Sequence, residues 1–145
     1  MPLTDYFIAA DDDAARTAGT LGPIPAEFVT VEAKNIDPVV TLGTLAAILT
    51  GRDYEEVTAH PRHGNAITDT GPAADSFVIT VPDDLRDALA AADDDLLVRT
   101  ARQWASTEEL AAFRPERLAD FTKELAALAR EARTGGQHLY CWWAL

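Results

Sequence analysis

His138-Leu139-Tyr140-Cys141-Trp142-Trp143-Ala144-Leu145 is the densest aromatic and apolar run in the chain. Two tryptophans, a tyrosine and a cysteine within eight residues favour an extended, buried conformation, because aromatic side chains fit a pleated surface and gain most by leaving water. The run is read as an internal β-strand on which the fold closes. Side chains alternate across a strand, so Leu139, Cys141, Trp143 and Leu145 point one way and Tyr140, Trp142 and Ala144 the other. Both faces are apolar, which predicts cover on both sides, or one aromatic face left as a ligand pocket or self-association surface.

The segment just before it supplies one of the covers. From Pro115 onward, Leu118, Phe121, Leu125, Leu128 and Ala132 recur at alternating steps of three and four, a single apolar stripe on a long helix. Gly135-Gly136 ends that helix, and its stripe needs an apolar partner such as Leu139, Cys141 and Trp143.

Further out, Leu3 to Ala9 with Tyr6 and Phe7 reads as a buried first strand, followed by Asp11-Asp12-Asp13, which cap a short helix running to Ala18. Gly22-Pro23-Ile24-Pro25 is a connector. Phe28 to Ala33 alternates as a half-buried strand. Asp37 caps and Pro38 opens a helix carrying Leu42, Leu45 and Leu49, which Gly51 terminates. Residues 52–75 lack periodicity apart from a helical turn at 53–57, and they hold two runs of turn chemistry, His60-Pro61-Arg62-His63-Gly64-Asn65 and Thr68-Asp69-Thr70-Gly71-Pro72. So long a loop in a small domain is commonly functional or disordered. Phe77 to Val81 is a third strand. Pro82-Asp83-Asp84 opens a helix, Asp93-Asp94-Asp95 interrupts it and caps another carrying Leu97, Ala101 and Trp104, the pattern fitting two helices or one bent helix, and Ser106-Thr107-Glu108-Glu109 fits a capping box for a short helix to Phe113.

The order of elements selects an α+β class: one domain over residues 1–145, with a small mixed or mostly antiparallel sheet of about four strands, first and last near its centre, packed by five or six helices. Tyr6 and Phe7 in the first strand, a helix ending Leu49-Thr50-Gly51, and a long final helix passing through Gly135-Gly136 into an apolar last strand resemble small bacterial α+β proteins of unknown function. That resemblance is architectural and implies no activity and no site residues.

A formal charge of −12 limits the partners. Residues 1–95 hold eighteen Asp and Glu against five Lys and Arg, whereas residues 96–145 hold six against seven. The excess repels nucleic-acid phosphates and attracts basic partners. One cysteine cannot form an intramolecular disulfide, Met1 to Ala10 lacks the features of a signal peptide, and no apolar run approaches the roughly eighteen residues of a membrane span. A cytoplasmic protein with no membrane contact is expected.

His60 and His63 are the only sequence-local pair of good metal ligands, with Asp53, Glu55, Glu56 and Asp69 nearby. Their loop spacing differs from the helical arrangement that presents two imidazoles on one side. The same loop could place a histidine beside Asp53 or Asp69 for acid–base work. Neither serine, Ser76 or Ser106, lies in a nucleophile-elbow motif, and His138 and Cys141 fall on opposite faces of a strand, which argues against a thiol dyad. Phosphate-cradling glycine loops are missing, and adjacent aspartates do not have the spacing of a calcium loop. No catalytic set and no cofactor are assigned. Candidate ligand or interface residues are His60, His63, Asp69, Tyr140 and Trp142. The expected function is a non-catalytic binding protein with an acidic surface and a basic protein partner; the alternative is a small metal-dependent hydrolase or other enzyme using the 52–75 loop with His60 and His63.

Overall fold

The last strand is the middle of the sheet. The computed structural model describes residues 2–145, and in it β5 (His138–Ala144) is the third of five antiparallel strands, in the spatial order β2 (Thr30–Val31), β1 (Leu3–Ala9), β5, β4 (Ser76–Thr80), β3 (Asn65–Ala66). It pairs with all seven residues of β1 (Leu3–Ala9), from Leu3 opposite Ala144 to Ala9 opposite His138. On its other edge it pairs with β4 (Ser76–Thr80), Ser76 opposite Ala144 and Thr80 opposite Tyr140. The class is α+β, with six α-helices and one short 3-10 turn among the described residues.

Alternation along β5 divides the core in two. Leu139 and Cys141 join Tyr6, Ile8 and Ile79 on one face, packed by α2 (Val40–Thr50), α4 (Asp83–Ala91), α5 (Asp94–Ala105) and α6 (Pro115–Thr134). The stripe Leu118, Phe121, Leu125, Leu128 and Ala132 of α6 lies in that core, as its spacing requires. Tyr140 and Trp142 point to the other face with Phe7, Ala9 and Val78. This face is covered by α1 (Asp12–Arg16), by Ala18 and Gly22 just after it, and by Phe28 and Ile67, rather than by a second helical layer. Trp142 donates from Nε1 to the Gly19 carbonyl at 3.0 Å. Gly22, at φ +93°, lies so close to the Trp142 ring that an added Cβ would approach three ring atoms to 3.3 Å. Cover on both faces of one antiparallel strand explains why its sequence is apolar throughout.

Most helix starts follow their sequence signals. Asp11 Oδ1 accepts from the Ala14 amide at 2.8 Å, and Asp93 Oδ1 accepts from Leu96 at 2.8 Å. Asp37 serves α2 from further upstream, accepting from Val39 and Val40 at 2.9 and 2.7 Å. The capping box at Ser106 does not form. Ser106 instead closes α5 in helical backbone conformation (φ −80°, ψ −6°), its hydroxyl turned back to donate to the Gln103 carbonyl at 2.6 Å, and an N-cap needs an extended backbone. Only a 3-10 turn, Glu108–Leu110, follows, and it anchors buried Leu110.

Three strand boundaries also differ from expectation. Within the Phe28 to Ala33 segment only β2 (Thr30–Val31) is regular, because it is the sheet's outer strand and Val29 projects into solvent. The 52–75 segment contains α3 (Tyr54–Thr58) and a short β3 (Asn65–Ala66) that pairs with β4, which brings the strand count to five rather than about four. The third expected strand therefore becomes β4 and starts one residue earlier.

Candidate functional site

Antiparallel pairing of β1, β5 and β4 brings the end of β1, the start of β5 and the end of β4 to the same rim of the sheet. Charged residues collect there: Asp11, Asp12, Asp13 and Arg16 from the β1–α1 corner, Asp83 from the start of α4, His138 from β5, and Arg62 from the turn between α3 and β3. They line an open cleft of about 550 Å³.

Two of these lining residues, Asp12 and Arg62, form a three-residue network with the buried Tyr140. The Tyr140 hydroxyl donates to Asp12 Oδ1 at 2.7 Å. Arg62 donates to both oxygens of the same carboxylate, at 2.8 and 3.2 Å, and its guanidinium lies over the Tyr140 ring, 6.0 Å from the centroid. A paired guanidinium and a donated hydroxyl both favour the ionised acid. Arg62 first, with Tyr140 adding to it against partial burial, holds the Asp12 carboxyl down at about 2. Burial and the neighbouring carboxylate push the Tyr140 phenol up, which keeps it a hydrogen-bond donor. Beside this network, His138 Nδ1 meets Asp83 at 2.8 Å, and Asp83 also faces Arg86 at 3.3 Å.

Arg62 reaches the cleft because its turn is clamped from three directions. Its amide donates to His60 Nδ1 at 3.1 Å, its carbonyl accepts from the Thr80 hydroxyl at 2.6 Å, and the next residue, His63, contacts the Val39 carbonyl through Nε2 at 2.8 Å. A carbonyl only accepts, so His63 Nε2 carries the hydrogen. The turn divides two cavities. Arg62 faces the charged cleft, while His60 and His63 line a smaller apolar pocket of about 250 Å³ with Arg52, Glu56, Leu85 and Asp84.

The sequence candidates thus separate. His60 and His63 share the apolar pocket with Glu56 but not with Asp53 or Asp69. Asp69 lies in an exposed turn, where its carboxylate accepts from the Gly71 amide at 2.9 Å. Tyr140 is 0% exposed and Trp142 8%; of the two, only Tyr140 reaches the cleft network, through its hydroxyl. His138 and Cys141 are on opposite faces of β5, with Cys141 buried and its thiol pushed well up by that burial. Among the described residues no three His, Cys, Asp or Glu side chains form a metal-ligand group, and no helix is long and apolar enough to cross a membrane.

Asp12, Arg62 and Asp83 are the site residues that sequence reasoning missed. The partners of Asp12 are 50 and 128 positions away, so no local spacing joins them. The only local sign at Arg62 is an arginine between two histidines in a turn. Comparison with family models, with curated proteins and with solved structures finds no match to this chain.

Proposed function

We propose that the chain is a non-catalytic cytoplasmic binding protein whose acidic sheet rim receives a basic protein partner. One observation carries this reading: the cleft gathers Asp11, Asp12, Asp13 and Asp83 around Arg16 and Arg62, an excess of two carboxylates in a protein already at −12. Asp12 is paired with Arg62 and Asp13 with Arg16, and the paired Asp13 side chain is still 93% exposed. Complementary charge of this kind steers encounter and selects partners. The nucleophiles present do not argue for chemistry: Ser106 is tied to a helix end and Cys141 is buried with a raised pKa.

The test is capture from native lysate on the immobilised wild-type chain and on an Asp11→Lys/Asp13→Lys variant. A basic protein held by the wild type, released by salt and absent from the variant is the expected outcome. Equal capture by both chains refutes the reading.

A second reading, a small metal-dependent hydrolase or other enzyme using the 52–75 segment, has one observation in its favour: His60 and His63 line the same pocket as Glu56. Stoichiometric metal in the purified protein, lost in a His60→Ala/His63→Ala variant, would establish it and displace the first.

A further inference from the structure

The pocket on the helix side of the 60–63 turn has a buried apolar floor and a charged, wet mouth. Ala46 of α2, Val57 of α3, and Pro82 and Leu85 at the start of α4 form the floor, and all four are buried. At the mouth, the side chains of Arg52, Glu56 and Asp84 are 44, 55 and 63% exposed. Arg52 bonds Glu56 Oε1 through Nη2 and Nε at 2.8 and 3.1 Å, and its Nη1 lies 3.8 Å from Asp84 Oδ2. Two carboxylates share one guanidinium, so the mouth retains one uncompensated negative charge. The volume, about 250 Å³, lies below the range usual for drug-sized ligands and suits a single ring or a short chain.

We infer that this pocket binds a small organic amine, its apolar body on Ala46, Val57, Pro82 and Leu85 and its ammonium at the mouth beside Glu56 and Asp84. The order of burial sets that orientation: the floor offers no charge to a buried ammonium, and the mouth offers two carboxylates. A ligand carboxylate at the same place would be the third anion around one arginine. A neutral ligand would gain from the floor alone. His60 and His63 complete the wall, and their bonds to the Arg62 amide and the Val39 carbonyl hold them there. The inference is independent of any protein partner at the sheet rim, because the pocket lies on the opposite side of the turn.

The test titrates the full chain with benzylamine, benzyl alcohol and benzoate, one ring bearing a positive, a neutral and a negative head. Binding is followed by the methyl resonances of Ala46, Val57 and Leu85. Saturable shifts of these methyls are expected, with benzylamine binding about two- to fivefold tighter than benzyl alcohol, the size of one solvent-exposed ion pair, and benzoate weakest. A Glu56→Gln/Asp84→Asn variant changes only exposed rim side chains. It should reduce benzylamine to the affinity of the alcohol or below and leave the alcohol unchanged. Pocket methyls that do not move with benzylamine, even if surface amides do, would overturn the inference. So would benzoate binding as tightly as the amine, or a double variant that still prefers the amine.

Discussion

Replacing Tyr140 by phenylalanine removes one oxygen from a ring that is otherwise fully buried, and it isolates the hydrogen bond between that ring and Asp12 of the charged cleft. The native hydroxyl donates to Asp12 at 2.7 Å, and hydrogen bonds to charged groups contribute about 1.5–3 kcal/mol when buried. Here the carboxylate side is 33% exposed and keeps Arg62, so water replaces part of the loss. The depression of Asp12 from 3.8 to about 2 corresponds to no more than about 2.4 kcal/mol, and to about 1–2 kcal/mol after allowance for solvent screening. Arg62 supplies the larger share, which leaves about 0.5–1 kcal/mol for Tyr140→Phe at pH 7. The sign with pH follows from linkage. The folded pKa lies below the unfolded one, so the stabilisation is complete above about pH 4 and disappears as pH falls through the folded value near 2. Urea unfolding of both proteins from pH 7 down to pH 2.5, followed by far-UV circular dichroism, should show a difference that shrinks below pH 4. In an Asp12→Asn background the tyrosine substitution should cost much less, since paired groups are non-additive. A difference at pH 7 below about 0.3 kcal/mol, or one that stays constant into acid, would refute the network as described.

Trp104 is 0% exposed and donates from Nε1 to the Thr41 carbonyl at 3.1 Å, so Trp104→Ala should cost about 3–5 kcal/mol in chemical unfolding. Trp143 is only half-buried and its Nε1 has no partner; Trp143→Ala should cost measurably less than Trp104→Ala in the same assay. Asp5 is buried on the Trp142 face and burial raises its pKa; the folded value exceeds the unfolded one, so its contribution is present in acid and lost as pH rises through the folded pKa. Asp5→Asn should therefore raise the thermal midpoint at pH 7 and have no such effect at pH 3. Gly22→Ala places a Cβ against the Trp142 ring at a positive φ, a strain of about 1–3 kcal/mol, and should lower stability and red-shift tryptophan emission.

Much of this fold is legible along the chain because its signals are local. The 3-4 spacing from Leu118 to Ala132 identifies a buried helix face, Asp11 and Asp93 mark helix starts whose amides they accept from, and the two-sided apolar character of residues 139–144 belongs to a central strand. Ser106 shows the limit of such reasoning. Its pattern matches a capping box, but a hydroxyl can serve either the helix it ends or the one it would begin, and with Ser106 still in helical backbone conformation it serves the first, through the Gln103 carbonyl. The 52–75 segment is a second limit: β3 is two residues long, and it forms because β4 offers an open edge.

The charge excess, the lone cysteine and the lack of a nucleophile motif are properties of composition and order, so the sequence alone determined them, together with the α+β class and the central place of β5. The site was decided only by the tertiary structure. Asp12, Arg62 and Tyr140 meet because antiparallel pairing brings the end of β1 beside the start of β5, and because His60, Thr80 and Val39 clamp the turn that carries Arg62. His60 and His63, conspicuous as a pair in the sequence, flank that arginine in space and face the other cavity. Local spacing sets which way a side chain leaves its own element, and only packing of distant segments sets what it meets there.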